Sequence, residues 1–114
     1  MAHMSNDANA VAGTGRLNAV FVDEVESTTV VDGISRRGLP GGAVVARVYD
    51  IAAGVQWPEV DHHSIDESIY VVDGELIEGE HHYPAGSFLH YQPGTSHRPR
   101  TETGVRILVF GLAG

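Results

Sequence analysis

Apolar and polar residues alternate along this chain in short β-branched runs, each closed by Gly, Pro, Asn or Asp. That period of two is the signature of half-buried strands. The runs fall at Ala19–Val22, Thr28–Ile34, Ala43–Ile51, Ser68–Val72, Leu76–Glu78, Ser87–Tyr91 and Val105–Phe110. No segment carries a sustained i, i+3, i+4 apolar stripe. Val20–Val25 comes nearest, and is too short and too β-branched for a helix. Val72-Asp73-Gly74-Glu75 holds the Asp-Gly signal of a tight type I′ hairpin. Tyr83-Pro84-Ala85-Gly86 and Gln92-Pro93-Gly94-Thr95 predict two further turns, in which Pro sets φ and Gly permits positive φ. Many short strands at regular spacing predict an all-β sandwich or jelly roll. With no internal repeat or linker, residues 17–114 read as a single domain.

A chain of 114 residues is long enough to bury a core without covalent staples. Met1-Ala2-His3-Met4 reads as a vector scar ahead of a second initiator, which sets His3 aside. Residues 5–16 are small and polar and complete a loose N-terminal arm over 1–16. Cysteine is absent, which excludes disulfides and thiolate ligands and fits a reducing cytoplasm. A net charge of −8 argues against a nucleic-acid partner. No apolar run approaches a membrane span, and no signal-peptide core is visible.

The candidate chemistry is a split polar set, Asp61-x-His63-x-x-x-Glu67 and, about thirty residues on, His97. Carboxylates and imidazoles arriving from separate strands are what a first-row divalent metal takes as ligands. Unpaired charges of this kind are costly to enclose. Asp61 and His63 share a strand face, roughly 6.6 Å apart along the chain, and His62 has the opposite parity. On a straight strand Glu67 would lie about 13 Å beyond His63. Ser64-Ile65-Asp66 must therefore turn the chain back, and His97, after the turn at Gly94, must come from across the sheet. His62 replaces Asp61 only if the strand bulges. His81 and His82 read as a solvated hairpin tip and Arg98-Pro99-Arg100 as a solvated edge, while His90 either lines the cavity or faces water.

These residues resemble the two motifs of the cupin superfamily. Gly54, Asp61-His62-His63-Ser64-Ile65-Asp66-Glu67 and Gly74 are similar to the first motif, G-x5-H-x-H-x3,4-E-x6-G. Gly86 followed by Gly94-Thr95-Ser96-His97 is similar to the second, G-x5-P-x-G-x2-H-x3-N. The likeness covers residues 40–112 and is greatest to the cupins of zinc anti-sigma factors and acetylacetone-dioxygenase-like proteins. It implies an antiparallel double-stranded β-helix, the cupin jelly-roll barrel. It also implies one divalent ion, Fe(II), Zn(II), Mn(II) or Ni(II), on Asp61, His63, Glu67 and His97. Three positions depart from the pattern: Asp61 stands where the first histidine falls, Gln92 where a proline falls, and Thr101 where the asparagine falls. Without Asp61 the rest form a 2-His-1-carboxylate set; with it the site is harder. Asp61 is a ligand, a base toward bound water, or an orienting partner of His63.

Two functional classes follow from the resemblance. One is a small enzyme with Asp61 and Glu67 as catalytic carboxylates, acting on an oxygen-rich small molecule by dioxygenase-like chemistry or as a lyase, isomerase or cyclase. The other is a non-catalytic sensory or ligand-binding cupin. The known sensory relatives carry an additional Cys/His zinc domain, and the absence of cysteine tilts the expectation towards the enzyme. The apolar runs at Ala43–Ile51 and Val105–Phe110 predict a homodimer paired through them.

Overall fold

The computed structural model describes residues 11–112, and within them every strand pairing is antiparallel. The strands are β1 Thr28–Val31, β2 Ile34–Leu39, β3 Val44–Ile51, β4 Asp61–His62, β5 Glu67–Glu78, β6 His81–Pro84, β7 Phe88–Tyr91, β8 Ser96–His97 and β9 Val105–Leu112. The larger sheet runs β1-β2-β3-β9-β5-β6, with β7 also on β5, and β4 pairs with β8. The two layers roll together as the double-stranded β-helix that the alternation and the motifs predict. No helix among the described residues is long and apolar enough to cross a membrane. Residues 11–16 are exposed without helix or strand, and the rest of the expected arm, 1–10, lies outside the described residues.

Alternation sorts each strand into an inner and an outer face. On β9, Val105 and Ile107 enter the core with Val109 packed beside them, while Arg106, Leu108 and Phe110 take the other parity. Ile34, Tyr49, Ile51, Ile69, Val71 and Leu76 complete the buried cluster. Each fully enclosed aliphatic side chain in it contributes about 1.5–3 kcal/mol.

Three local expectations are corrected. The hairpin predicted at Val72–Glu75 does not form, because β5 runs unbroken through Asp73-Gly74 for twelve residues. Its register against β9 slips there, from Val71↔Ile107 to Asp73↔Arg106, which marks a β-bulge. Gly74 sits at φ +79°, and a Cβ on it would lie 2.1 Å from the Gly104 carbonyl oxygen. The bulge bends β5, so its first half pairs with β7 and β9 and its second with β6. Thr28–Ile34 is not one strand either. Asp32-Gly33 breaks it into a hairpin closed by Val31↔Ile34, with Gly33 at φ +85°. Ala19–Val22 forms no strand, and Val22–Glu24 makes a 3-10 turn. That turn is tied to the outer face of the sheet, where Arg37 donates to the Val25 carbonyl and Arg106 to Asp23.

Candidate metal centre

β4 and β8 are only two residues each, yet their register decides the site. Asp61 lies directly opposite His97, and His62 opposite Ser96. The pairing extends one step further, since His63 N–H donates to the Thr95 carbonyl and Gly94 N–H to the His63 carbonyl. Gly94 at φ +93° makes the turn that delivers His97. Ser64–Asp66 then reverse the chain over the end of β9. A Cβ on Gly111 would meet the Asp66 carbonyl oxygen at 2.8 Å, so the reversal needs glycine beneath it. Glu67, the first residue of β5, comes back beside His63.

The structure brings all four expected residues together. One donor atom from each of Asp61, His63, Glu67 and His97 lies within 4.8 Å of every other. His63 Nδ1 is 3.0 Å from Glu67 Oε2 and its Nε2 is 3.7 Å from Asp61 Oδ2. His97 Nε2 is 3.4 Å from the same Asp61 oxygen. Donors held about 2.1 Å from a common ion stand roughly 3.0–3.4 Å apart at octahedral or tetrahedral angles. The two imidazole Nε2 atoms, 3.4 and 3.7 Å from the shared Asp61 oxygen, stand close to that spacing, while Glu67 approaches the other ring nitrogen of His63. His63 supplies a second test, because its Nε2 is buried and has no hydrogen-bond partner among the described residues. A buried, unpartnered ring nitrogen costs about 1–3 kcal/mol, and a bound ion removes that cost.

Electrostatics point the same way. No arginine lies within ion-pair distance of Asp61 or Glu67 among the described residues. Burial raises the Glu67 pKa, His63 draws it down and Asp61 pushes it up, with smaller downward pulls from His97 and Arg47. For His97 burial works downward and is outweighed by the hydrogen bond with Glu78, the charge of Glu78 and that of Asp61, so its pKa rises.

Glu78 was not among the residues the sequence singled out. Its Oε2 is 2.6 Å from His97 Nδ1 and also accepts the Tyr91 hydroxyl proton. The Tyr91 ring lies against both imidazoles, with centroids 5.1 Å from His63 and 4.4 Å from His97. Glu78 shares strand parity with the buried Leu76, and that inward parity was the available signal.

The remaining polar candidates fall outside the cluster. His62 points away, as its parity predicts, with Nδ1 2.7 Å from Ser96 Oγ. His90 is exposed and pairs with Asp66. His81 and His82 open β6 rather than forming the hairpin tip, and His82 sits 2.7 Å from Glu75. Glu75, His82 and Glu102 form a second acidic-histidine group, which is largely open to water. Arg98 is exposed, as expected of a solvated edge, and it also donates to the Trp57 and Pro58 carbonyls, tying the β8 segment to the loop before β4. Beneath the four-residue cluster lies a cavity of about 50 Å³. Tyr49, Trp57, Ile69, Pro99, Ile107 and Val109 wall it, with Asp61, Glu67 and His97 at its polar end. That is room for a few water-sized groups.

Solved structures share this architecture. A chain of the Rhodobacter sphaeroides SigE complex with the anti-sigma ChrR matches at TM-score 0.71 and 24% identity, over 79% of this chain. This chain spans 51% of that one. An RmlC-like cupin from Shewanella frigidimarina matches at TM-score 0.69 and 21% identity, over 80% of this chain and 86% of that one. The polyketide cyclase RemF from Streptomyces resistomycificus matches at TM-score 0.75 and 17% identity, over 86% and 80% respectively. No functionally curated protein is significantly similar in sequence. The profile of the ChrR cupin-like domain family matches residues 16–113, nearly the whole chain. With the jelly roll, both motifs and that match in agreement, the chain belongs to the ChrR cupin-like domain family.

Proposed function

We propose that this protein is a small metal-dependent enzyme. Asp61, His63, Glu67 and His97 hold one divalent ion, Fe(II), Zn(II), Mn(II) or Ni(II), and the barrel cavity takes an oxygen-rich small molecule. The observation that carries the reading is the buried, unpartnered His63 Nε2 among four converging donors. When bound, the ion supplies Lewis-acid polarisation of a carbonyl or, as Fe(II), O2 activation. His63 and His97 fix the position of the centre from the buried side, and Glu67 stands beside His63. Asp61 is the most exposed member, with 44% of its side chain accessible. It faces the route by which substrate arrives, where it serves as a fourth ligand or as the base that holds a substrate proton. Trp57, Tyr49 and Ile107 make the cavity wall apolar, which excludes bulk water and suits a compact molecule with one oxygen-bearing end.

Similarity in fold to the cyclase RemF over most of both chains supports a catalytic reading. The second reading, a non-catalytic sensory cupin, draws on the ChrR match, of which this chain spans about half. A screen of metal-loaded protein for O2 uptake and product formation with β-dicarbonyls and catechol-like compounds separates the two. Turnover that is lost on His97→Ala supports the enzyme, whereas ligand binding without turnover supports the sensor. Asp61→Asn sorts the roles of that residue. A lost ligand weakens metal affinity, while a lost base leaves metal bound and cuts turnover by about 10²–10⁴.

The protein works as a homodimer in the cytoplasm, paired through the outer face of the larger sheet. Val44, Leu112, Tyr70, Val72 and Phe88 are exposed there on neighbouring strands. A monomer by light scattering at tens of micromolar would reject that pairing.

A further inference from the structure

The half-buried acid that the proposed reaction leaves unused is Glu78. It sits at the end of β5 with 15% of its side chain accessible, and one of its oxygens, Oε2, takes both of its observed partners. One partner is the Tyr91 hydroxyl, the other is Nδ1 of His97. The opposite nitrogen of that imidazole, Nε2, faces the cluster, 3.4 Å from Asp61. An ionised carboxylate accepts hydrogen bonds and donates none. Against Glu78 the neutral His97 ring is therefore stable in one tautomer, with the proton on Nδ1 and the lone pair on Nε2. Tyr91 holds the acceptor in place from the other side while its ring stacks on His63 and lies tilted against His97.

We infer that Glu78, held by Tyr91, is a positioning residue that orients His97 and fixes its tautomer so that Nε2 is the metal-ligating atom. The inference rests on the metal reading of the four-residue cluster and adds to it a pair of residues that touch neither substrate nor ion. A carboxylate behind a ligating histidine raises the basicity of the ring and removes the freedom to flip. Glu67 stands behind His63 Nδ1 at 3.0 Å, so both imidazoles are backed by an acid. Glu67 also reaches the centre, whereas Glu78 is turned away from it and does only the orienting work.

The test uses the full chain with zinc, which is diamagnetic and needs no substrate. Zinc affinity is measured by competition calorimetry for wild type, Glu78→Gln and Tyr91→Phe, with apo thermal midpoints as a control. Glutamine keeps the shape but can present its amide N–H₂ to Nδ1, which stabilises the wrong tautomer. The expected result is an affinity about 10–100-fold weaker for Glu78→Gln and a smaller loss for Tyr91→Phe. In zinc-loaded wild type the His97 Nδ1 proton should appear as a protected imidazole resonance, and in Glu78→Gln it should shift or exchange away. Equal affinities for wild type and Glu78→Gln, or zinc bound through Nδ1 of His97, would overturn the positioning role. If Glu78→Gln fails to fold, Tyr91→Phe decides, and wild-type zinc affinity in that variant would likewise overturn it. A wild-type chain that takes up no zinc fails the metal reading instead, so the two failures are distinguishable.

Discussion

On the outer face of the larger sheet, Asp50 lies 2.7 Å from both Arg37 and Arg106, and Arg106 reaches on to Asp23. On the inner face, Asp61 and Glu67 gather around two imidazoles, with no arginine at ion-pair distance among the described residues. Two acidic clusters in one small barrel are thus balanced differently. The outer one carries its own counter-cations, joins β2, β3, β9 and the N-terminal turn, and needs nothing more. Its hydrogen bond from Arg106, against the opposing pull of burial and with the charges of Arg106 and Arg37, holds the Asp50 pKa below the usual carboxylate range. The inner one has its acids and a buried bare nitrogen, and its nearest cation, Arg47, acts on Glu67 only from beyond ion-pair distance. On the proposed reading, the difference separates a cluster that stabilises the fold from one that takes a ligand.

Adding metal should separate the two clusters most visibly. With free ion at a hundred times its dissociation constant, binding stabilises the folded chain by about 2.7 kcal/mol. A melt should then shift upward by on the order of 10 °C for a domain of this size. His97→Ala should show no such shift, while Asp50→Asn should keep all of it. An equal shift in His97→Ala would mean that the ion sits elsewhere, with the exposed Glu75, His82 and Glu102 group as the first place to look.

Gly74→Ala comes next in size and probes the bend that carries β5 between the layers. The new Cβ would meet the Gly104 carbonyl in a left-handed backbone conformation, so chemical denaturation should report a loss on the order of 2–3 kcal/mol. A variant as stable as wild type would show that the bulge tolerates a side chain.

Asp50→Asn is the smallest, roughly 1 kcal/mol with its partial exposure discounted. The sign with pH follows from the direction of the shift. The folded-state pKa of Asp50 is lowered, so its contribution is fully present above the ordinary carboxylate value. It is lost as pH falls through the lowered one. Urea midpoints of wild type and Asp50→Asn should therefore converge at acid pH and separate towards neutrality. A constant gap would assign the loss to packing rather than charge.

The sequence carried the inner cluster well because parity is a strong constraint. Asp61, His63 and Glu67 share one face by count alone, and the turn at Gly94 points His97 at them. Short-range turn signals were weaker guides. Asp32-Gly33 and Asp73-Gly74 carry the same dipeptide, yet the first makes a hairpin and the second a bulge inside a twelve-residue strand. What separates them is tertiary. Gly74 lies within the β5–β9 ladder, against the Gly104 backbone and paired with Val105, whereas Gly33 lies at the closed end of its two strands with only the Val55 side chain over it. Glu78 escaped for the same reason. Its inward parity is visible, but its partners Tyr91 and His97 lie on other strands, and only the fold shows that they meet.

Metal stoichiometry tests most directly whether the inner cluster holds an ion. Wild type and His97→Ala, purified without chelator, incubated with Fe(II), Zn(II), Mn(II) or Ni(II) in turn and then dialysed, are assayed by elemental analysis. Wild type should retain one divalent ion per chain and His97→Ala none, with both still folded as β-protein by circular dichroism. A wild-type chain that retains no ion under any of the four conditions, or a His97→Ala chain that retains as much as wild type, would contradict it.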